Sequence, residues 1–439
     1  MAEMKDSGIE WIGEIPTDWD TKAIRFLILE HFSGAWGNDE KTDSDNNRIC
    51  MRIADFDYFR MQFKENVEYT IRNYTNTEIA NKTLRYGDLL IEKSGGGEKT
   101  PVGRTVVYRL NNNALFANFM DCIRLKENEY NYEFAKYVFY SLYNNGITNL
   151  YYNKTTGIQN LSMQKYLREV KLPFPTLIEQ GKIADFLDEK CAEVDALHTD
   201  IEKQIETLEE YKKSIITEAV TKGLDPDVEM EDSGIEWIGM IPKDWSTIRI
   251  GHVFSLRNER NSLPEDQVQL LSLYTGIGVF PQGEHVTASG NHAQTVDGYK
   301  IVHKNDIVVN IILAWMGAIG VSDYDGVTSP AYDIYIPDLS KVVPHYFHYV
   351  FRTAGIAGEC YKYGRGIMMM RWRTYSQEFK QIFVPFPSLE KQQEIAEYLD
   401  KKCAEIDGAI EEKKQQLETL EQYKKSLIYE YVTGKKEVK

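Results

Sequence analysis

Nowhere in the 439-residue chain does an apolar run reach the roughly 18–20 residues that a membrane helix needs. The opening MAEMKDSGIEW has neither the basic segment nor the apolar stretch of a secretory signal, so a cytoplasmic location and no membrane partner are expected. Cysteine is sparse. Cys50, Cys122, Cys191, Cys360 and Cys403 are scattered without a CxxC spacing. That suits free thiols in a reducing compartment and argues against a disulfide framework or a zinc site. His345 and His348 are spaced i, i+3 but have no third ligand nearby, so no metal is expected.

Catalytic signatures are also missing. There is no Gly-x-Ser-x-Gly, no His-Glu-x-x-His and no dinucleotide-type glycine fingerprint. SGGGEKT (94–100) lacks the Gly-Lys pair of a Walker loop. The Asn/Asp-Pro-Pro-aromatic tetrapeptide of amino-methyltransferases is absent, and no carboxylates pair convincingly for acid–base work. These absences point to a binding protein with no cofactor of its own.

Net charge is −16, which at first argues against nucleic acid. The acidity is concentrated, however. Residues 173–231 hold 6 Lys/Arg against 16 Asp/Glu, whereas 1–172 and 232–384 each carry a net of −2. A near-neutral block still has room for a basic face.

What the chain does have is a duplication. DSGIEWIGEIPTDW (6–19) and DSGIEWIGMIPKDW (232–245) agree at twelve of fourteen positions. PFPTLIEQGKIADFLDEKCAEVD (173–195) returns as PFPSLEKQQEIAEYLDKKCAEID (385–407), and IETLEEYKKSI (205–215) as LETLEQYKKSL (417–427). Each half is an entry segment, a block of its own (about 20–172 and 246–384), and a shared helical segment. A frame kept alike around inserts that differ suits a two-part reader. The expected divisions are 1–172, 173–225, 226–384 and 385–439.

After Pro173 and Pro175, residues 179–221 contain no proline, and they predict one helix about 65 Å long. Leu187, Val194, Ile201, Leu208 and Ile215 fall seven apart, with Ile183, Leu197 and Tyr211 as the companion seam. The second copy repeats this with Leu399, Ile406, Leu420 and Leu427, interrupted by Lys413. A narrow apolar stripe on so long a helix wants a partner helix. The other copy, packed antiparallel about a pseudo-twofold axis, is the expected partner. It would hold the two blocks at opposite ends of a coiled coil. Trp11 and Trp237 are expected to anchor the entry segments on this frame.

The blocks themselves read as α+β, each with a bent antiparallel sheet. Strand-like runs are GDLLIEKSGGG, RTVVYRL and DCIRL in the first, and DIVVNIILAW, GAIGV and YDIYI in the second. Helices are predicted over 131–144 and 344–355. Glycines beside Ser94, Lys93, Lys99 and Arg104 allow close backbone approach to phosphate. YYNKTTGIQNLS (151–162), with Tyr152 and Lys154, and YKYGRGIMMMRWRT (361–374), with Lys362, Arg365, Arg371 and Arg373, occupy matching places before each Pro-Phe-Pro. Arginine forks read guanine, and aromatics pack on bases and sugars, so these residues are the candidate DNA contacts, joined by Trp315. A coiled-coil scaffold whose blocks bind protein is the alternative.

MKDSGIEWIGEIPTDW (4–19), LDPDVEMEDSGIEWIGMIPKDW (224–245), GIQNLS with LPFPTLIEQGKIADFLDEK (157–190) and NDIVVNIILAWMGAIGVSDYDGVTSPAY (305–332) together resemble the specificity subunit of Type I restriction–modification systems, over the whole chain. The resemblance implies two target-recognition domains, each reading half of a split, asymmetric double-stranded DNA site. It implies that the helices set the gap between the half-sites. It also implies two methyltransferase subunits, which bind S-adenosylmethionine and methylate adenine, and separate motor-nuclease subunits, with no catalysis by this chain.

Overall fold

The computed structural model describes residues 3–65, 67–110, 112–155, 158–283, 296–366 and 372–438, without the side chains of Lys154 and Thr155. The chain divides into two compact units, Met1–Glu202 with Lys414–Lys439, and Lys203–Lys413.

In the first unit a sheet runs, in spatial order, through Ile28–Ser33, Met120–Leu125, Leu89–Glu92, Thr105–Val107, Gln62–Phe63 and Phe56–Asp57. All neighbours are antiparallel except Thr105–Val107 beside Gln62–Phe63. In the second unit the order is Phe254–Leu256, Tyr332–Pro337, Ile307–Asn310 and Ile319–Val321, all antiparallel. The four shared strands therefore keep one spatial order in both blocks, although their sequences resemble each other only faintly. The turn entering the central strand is built alike in each. Gly87 (φ +89°) and Asn305 (φ +73°) take the left-handed conformation. The next residues, Asp88 and Asp306, are buried and grip Arg124 and Arg257 through paired hydrogen bonds of 2.7–3.0 Å.

The predicted long helices are Leu177–Lys222 and Leu389–Val432. Pro175 ends the preceding segment, and Thr176 with Glu179 forms a reciprocal N-terminal cap. In the first unit the helices pair antiparallel. Phe186 meets Tyr431 with ring centres 4.5 Å apart, and Asp195 pairs with Lys424. In the second unit Lys212 pairs with Asp407 at 2.6 Å, the repeat equivalent of the Asp195–Lys424 pair.

The expected seam is graded. Leu187, Val194, Leu399, Ile406 and Leu427 are buried, while Ile201, Leu208, Ile215, Leu420 and Lys413 are half-buried. The companion seam needs correction. Ile183 is buried, but Leu197 and Tyr211 are 53% and 55% exposed. The companion line instead runs through Cys191, His198, Ile205 and Lys212, four residues after each seam leucine, valine or isoleucine. Two of these are polar, which hid the line from a reading by apolarity alone.

The helix ends are built into the domain cores. Ile183, Leu187, Leu427, Ile428 and Val432 share one core with Phe134, Tyr137 and Leu172. Ile216, Val220, Ile395 and Leu399 share another with Tyr346, Phe347 and Val384. The fully buried Gln180 accepts from the Asn131 backbone N–H at 2.7 Å and donates to the Pro175 carbonyl at 2.9 Å. Gln392 repeats this with Val343 and Pro387.

The repeated DSGIEWIG segment is a compact turn. Asp6 and Ser7 accept from the backbone of Gly8 and Ile9, and Asp232 and Ser233 do the same for Gly234 and Ile235. Its tryptophans pack on the domain cores as expected, with Tyr429 of the second long helix donating to the Trp11 carbonyl and Trp237 to the Phe383 carbonyl, and a second tryptophan pair lies just beyond the segment. Trp11 and Trp237 are half-buried, whereas Trp19 and Trp245 are the buried pair. Trp19 donates to Glu179 and packs with Pro16 on Gly434, where a Cβ would lie 2.4 Å from the Pro16 ring. Gly434 has φ +71°, so it also ends the helix as a left-handed cap. The expected 344–355 helix is two: Pro344–Val350, then Ala354–Tyr363 restarted by the Thr353 cap. Gly355 in the second lies under Trp237 too closely for any side chain.

Gln180→Met keeps volume but strands a buried N–H and a buried carbonyl. It should lower stability by about 2–4 kcal/mol in urea denaturation. A loss below about 1 kcal/mol would show that the glutamine is not a fastening point.

Candidate nucleic-acid interface

In each unit the central strand ends at a surface that the return segment covers. In the first, Leu89–Glu92 leads into Lys93, whose carbonyl accepts from Leu161 N at 2.7 Å. In the second, Ile307–Asn310 leads into Ile311, whose carbonyl accepts from Thr374 N at 2.9 Å. Leu161 and Thr374 each close the segment that precedes the Pro-Phe-Pro entry to a long helix. Both candidate segments thus meet the same end of equivalent strands.

The first surface is a small sheet ordered Ser94–Gly96, Ile158–Leu161, Tyr152–Thr155. It joins the glycine-rich loop to the 151–162 segment. Ser94 Oγ lies 2.6 Å from Asn160 Oδ1. Ile158 and Asn160 face outward, while Gln159 and Leu161 face in. Gly96 packs so tightly that a Cβ would sit 2.6 Å from Val102 N. Lys99 is exposed, and Tyr152 is half-buried. The Lys154 side chain lies outside the described residues.

Two candidate cations are committed internally. Lys93 Nζ lies 2.7 Å from Asp121 Oδ1 and donates to Ser33 at 2.7 Å, while His31 Nε2 meets Asp121 Oδ2 at 2.8 Å. Burial works to raise the Asp121 carboxyl, but its contacts with His31, Lys93 and Ser33 outweigh this and hold it below the usual range. Arg104 donates to the buried Glu92 at 2.8 Å. Burial raises the Glu92 carboxyl and Arg104 offsets part of the effect. The sequence shows these cations beside a glycine loop. It does not show the acids that strand pairing brings beneath them.

In the second surface, Trp315 donates to the Ile312 carbonyl and lies 6.0 Å from the Tyr361 ring. Tyr361 stacks on Trp372 at 5.1 Å. Arg365 and Arg373 exchange backbone hydrogen bonds of 2.9 and 3.0 Å, which pair these two positions side by side. The Arg365 head is exposed, 2.8 Å from Glu378, and Lys362 pairs with Glu359 at 3.3 Å. Arg373 is half-buried, and Arg371 lies outside the described residues. Trp315, Lys362, Arg365 and Arg373 therefore gather around one aromatic stack.

Among the described residues no group of His, Cys, Asp or Glu is arranged to hold a metal, and no helix is long and apolar enough to cross a membrane. Burial and the neighbouring Arg352 push His348 down to about 3, so it is neutral and accepts from Arg352 at 2.8 Å. The five cysteines are free and buried.

A duplicated helical frame carrying two sheet domains with unlike exposed loops defines a paired recognition protein. The Type I restriction modification DNA specificity domain matches residues 38–207 and 242–419, and the chain belongs to that family. A putative type I restriction enzyme MjaX specificity subunit from Methanocaldococcus jannaschii is 26% identical, over 98% of this chain and 96% of the relative. The MjaVIII specificity subunit of the same organism is 27% identical, over 69% and 70%. A solved structure from work on complex assembly and conformational transition of the type I R-M system has the same fold. Its TM-score is 0.67 at 13% identity, covering 95% of this chain and 98% of that one. The chain is a Type I specificity subunit, of a family that binds DNA, is itself non-catalytic and assembles with methyltransferase and restriction subunits.

Because the folded Asp121 carboxyl titrates below its unfolded value, its stabilisation is present above about pH 4 and is lost as pH falls through the folded pKa. Asp121→Asn should therefore flatten the acid limb of stability, followed by circular dichroism between pH 5 and 2. Identical acid slopes for the two proteins would contradict the network.

Proposed function

We propose that each recognition domain reads one half of a bipartite, asymmetric double-stranded DNA site from the strand end described above. Domain 1 comprises residues 1–172 and domain 2 residues 226–384. The helical segments 173–225 and 385–439 set the number of base pairs between the halves. They also carry the seats for two methyltransferase subunits, with motor-nuclease subunits completing the complex in the cytoplasm. The observation that carries this reading is the matched placement of unlike surfaces. Equivalent strands end under a glycine-rich, polar loop in one domain and an arginine–aromatic cluster in the other. One scaffold holding two different surfaces suits two different half-sites.

In this reading Lys99, Tyr152, Lys154, Trp315, Lys362, Arg365, Arg371 and Arg373 face DNA. Ser94 orders the first loop through Asn160. Lys93 and Arg104, tied to Asp121 and Glu92, shape the surface rather than neutralise phosphate. The exposed Arg365 head, with the half-buried Arg373 beside it, supplies base or phosphate contacts that the chain's overall acidity disguises.

The test is affinity of the assembled methyltransferase complex for its site. Arg365→Ala with Arg373→Ala should weaken binding by roughly 10–100-fold, with assembly unchanged. Unchanged DNA affinity would contradict the reading.

A further inference from the structure

Phe119 stands at the first recognition surface and was not among the candidate contacts. It occupies the turn before Met120–Leu125 and is 49% exposed. Its carbonyl accepts from both Lys93 N (2.9 Å) and Ser94 N (3.2 Å), so the turn is tied to the end of the central strand. Lys93 is itself held by Asp121 and Ser33. Phe119 is thus an exposed apolar residue whose backbone is bonded to that of Ser94, the residue paired with Asn160 on the outward side of the small sheet. The second domain places exposed apolar side chains at the same strand end, with Leu313 at 38% and Met316 at 53% exposure. A recurring apolar exposure beside polar, hydrogen-bonding groups fits a surface that reads base edges rather than phosphates.

We infer that Phe119 is a specificity-determining residue of the first half-site and packs its ring on a thymine 5-methyl group. Thymine is the base whose major-groove edge offers an apolar contact, and aromatic or small apolar side chains meet it. The two bonds to its carbonyl fix the backbone that carries the ring before DNA arrives, so only the side-chain torsions are ordered on binding. This inference rests on the reading of the chain as a two-domain DNA reader.

The experiment uses the assembled methyltransferase complex and duplexes carrying its methylation motif, with each thymine of the first half-site replaced in turn by uracil, which lacks the methyl group. For the native complex one replacement should weaken binding roughly fourfold, the effect of one buried methyl-sized group. For Phe119→Ala the thymine duplex should bind about as weakly as the uracil duplex, while Phe119→Leu should retain part of the difference. The inference is overturned if every uracil duplex binds the native and Phe119→Ala complexes with the same ratio, or if the first half-site contains no thymine in either strand. Failure of the native complex to bind any bipartite duplex would instead overturn the two-domain reading itself. Phe119 is exposed and the turn is held through its carbonyl, so Phe119→Ala keeps the fold, which its thermal melt verifies.

Discussion

A helix of 46 residues with a narrow apolar stripe gains most of its stability by covering that stripe, and the fold is arranged around that need. Its stripe is met by the second long helix, and its ends are met by domain cores. Leu187 and Leu427 lie in the core of the first unit, Ile216 and Leu399 in that of the second. The repeated residues include those that make these junctions: the buried glutamines and the Trp19 and Trp245 anchors. The frame is thus held to one sequence by packing, because a core at native density tolerates few changes.

The recognition surfaces obey a different constraint. They need a firm strand beneath and freedom above. The firm part is shared: a left-handed turn, a buried aspartate gripping arginine, and a central strand. Beyond the strand the domains part. The first continues into glycines and a small sheet, the second into an aromatic stack closed by two arginines. Buried acids under the first surface take up Lys93 and Arg104. Such pairs position groups more than they add affinity, since a buried charge must be matched before it is tolerated.

Much of this was legible in the sequence. Long matches revealed the frame, absent prolines and sevenfold spacing revealed the helices, and the interleaved Arg and aromatic residues of 361–374 marked a surface that the structure gathers into one cluster. What escaped had polar or non-local causes. His198 and Lys212 lie on the companion line but read as surface residues. Trp19 lies outside the eight-residue repeat that marked Trp11, and its deeper seat depends on the approach of the distant Gly434. The Gly87 and Asn305 turns align only once strand order is known. Phe119 has no motif, because its meaning comes from two backbone hydrogen bonds at the end of another strand.

Two unlike readers on one duplicated frame make a demand on the host genome. Sequencing that reports adenine methylation, in cells with and without this gene, tests it most directly. The expected result is a motif of two short, different blocks separated by a fixed run of unspecified bases, present with the gene and lost without it. A motif that is continuous, or one that survives deletion, would contradict the assignment of one half-site to each domain.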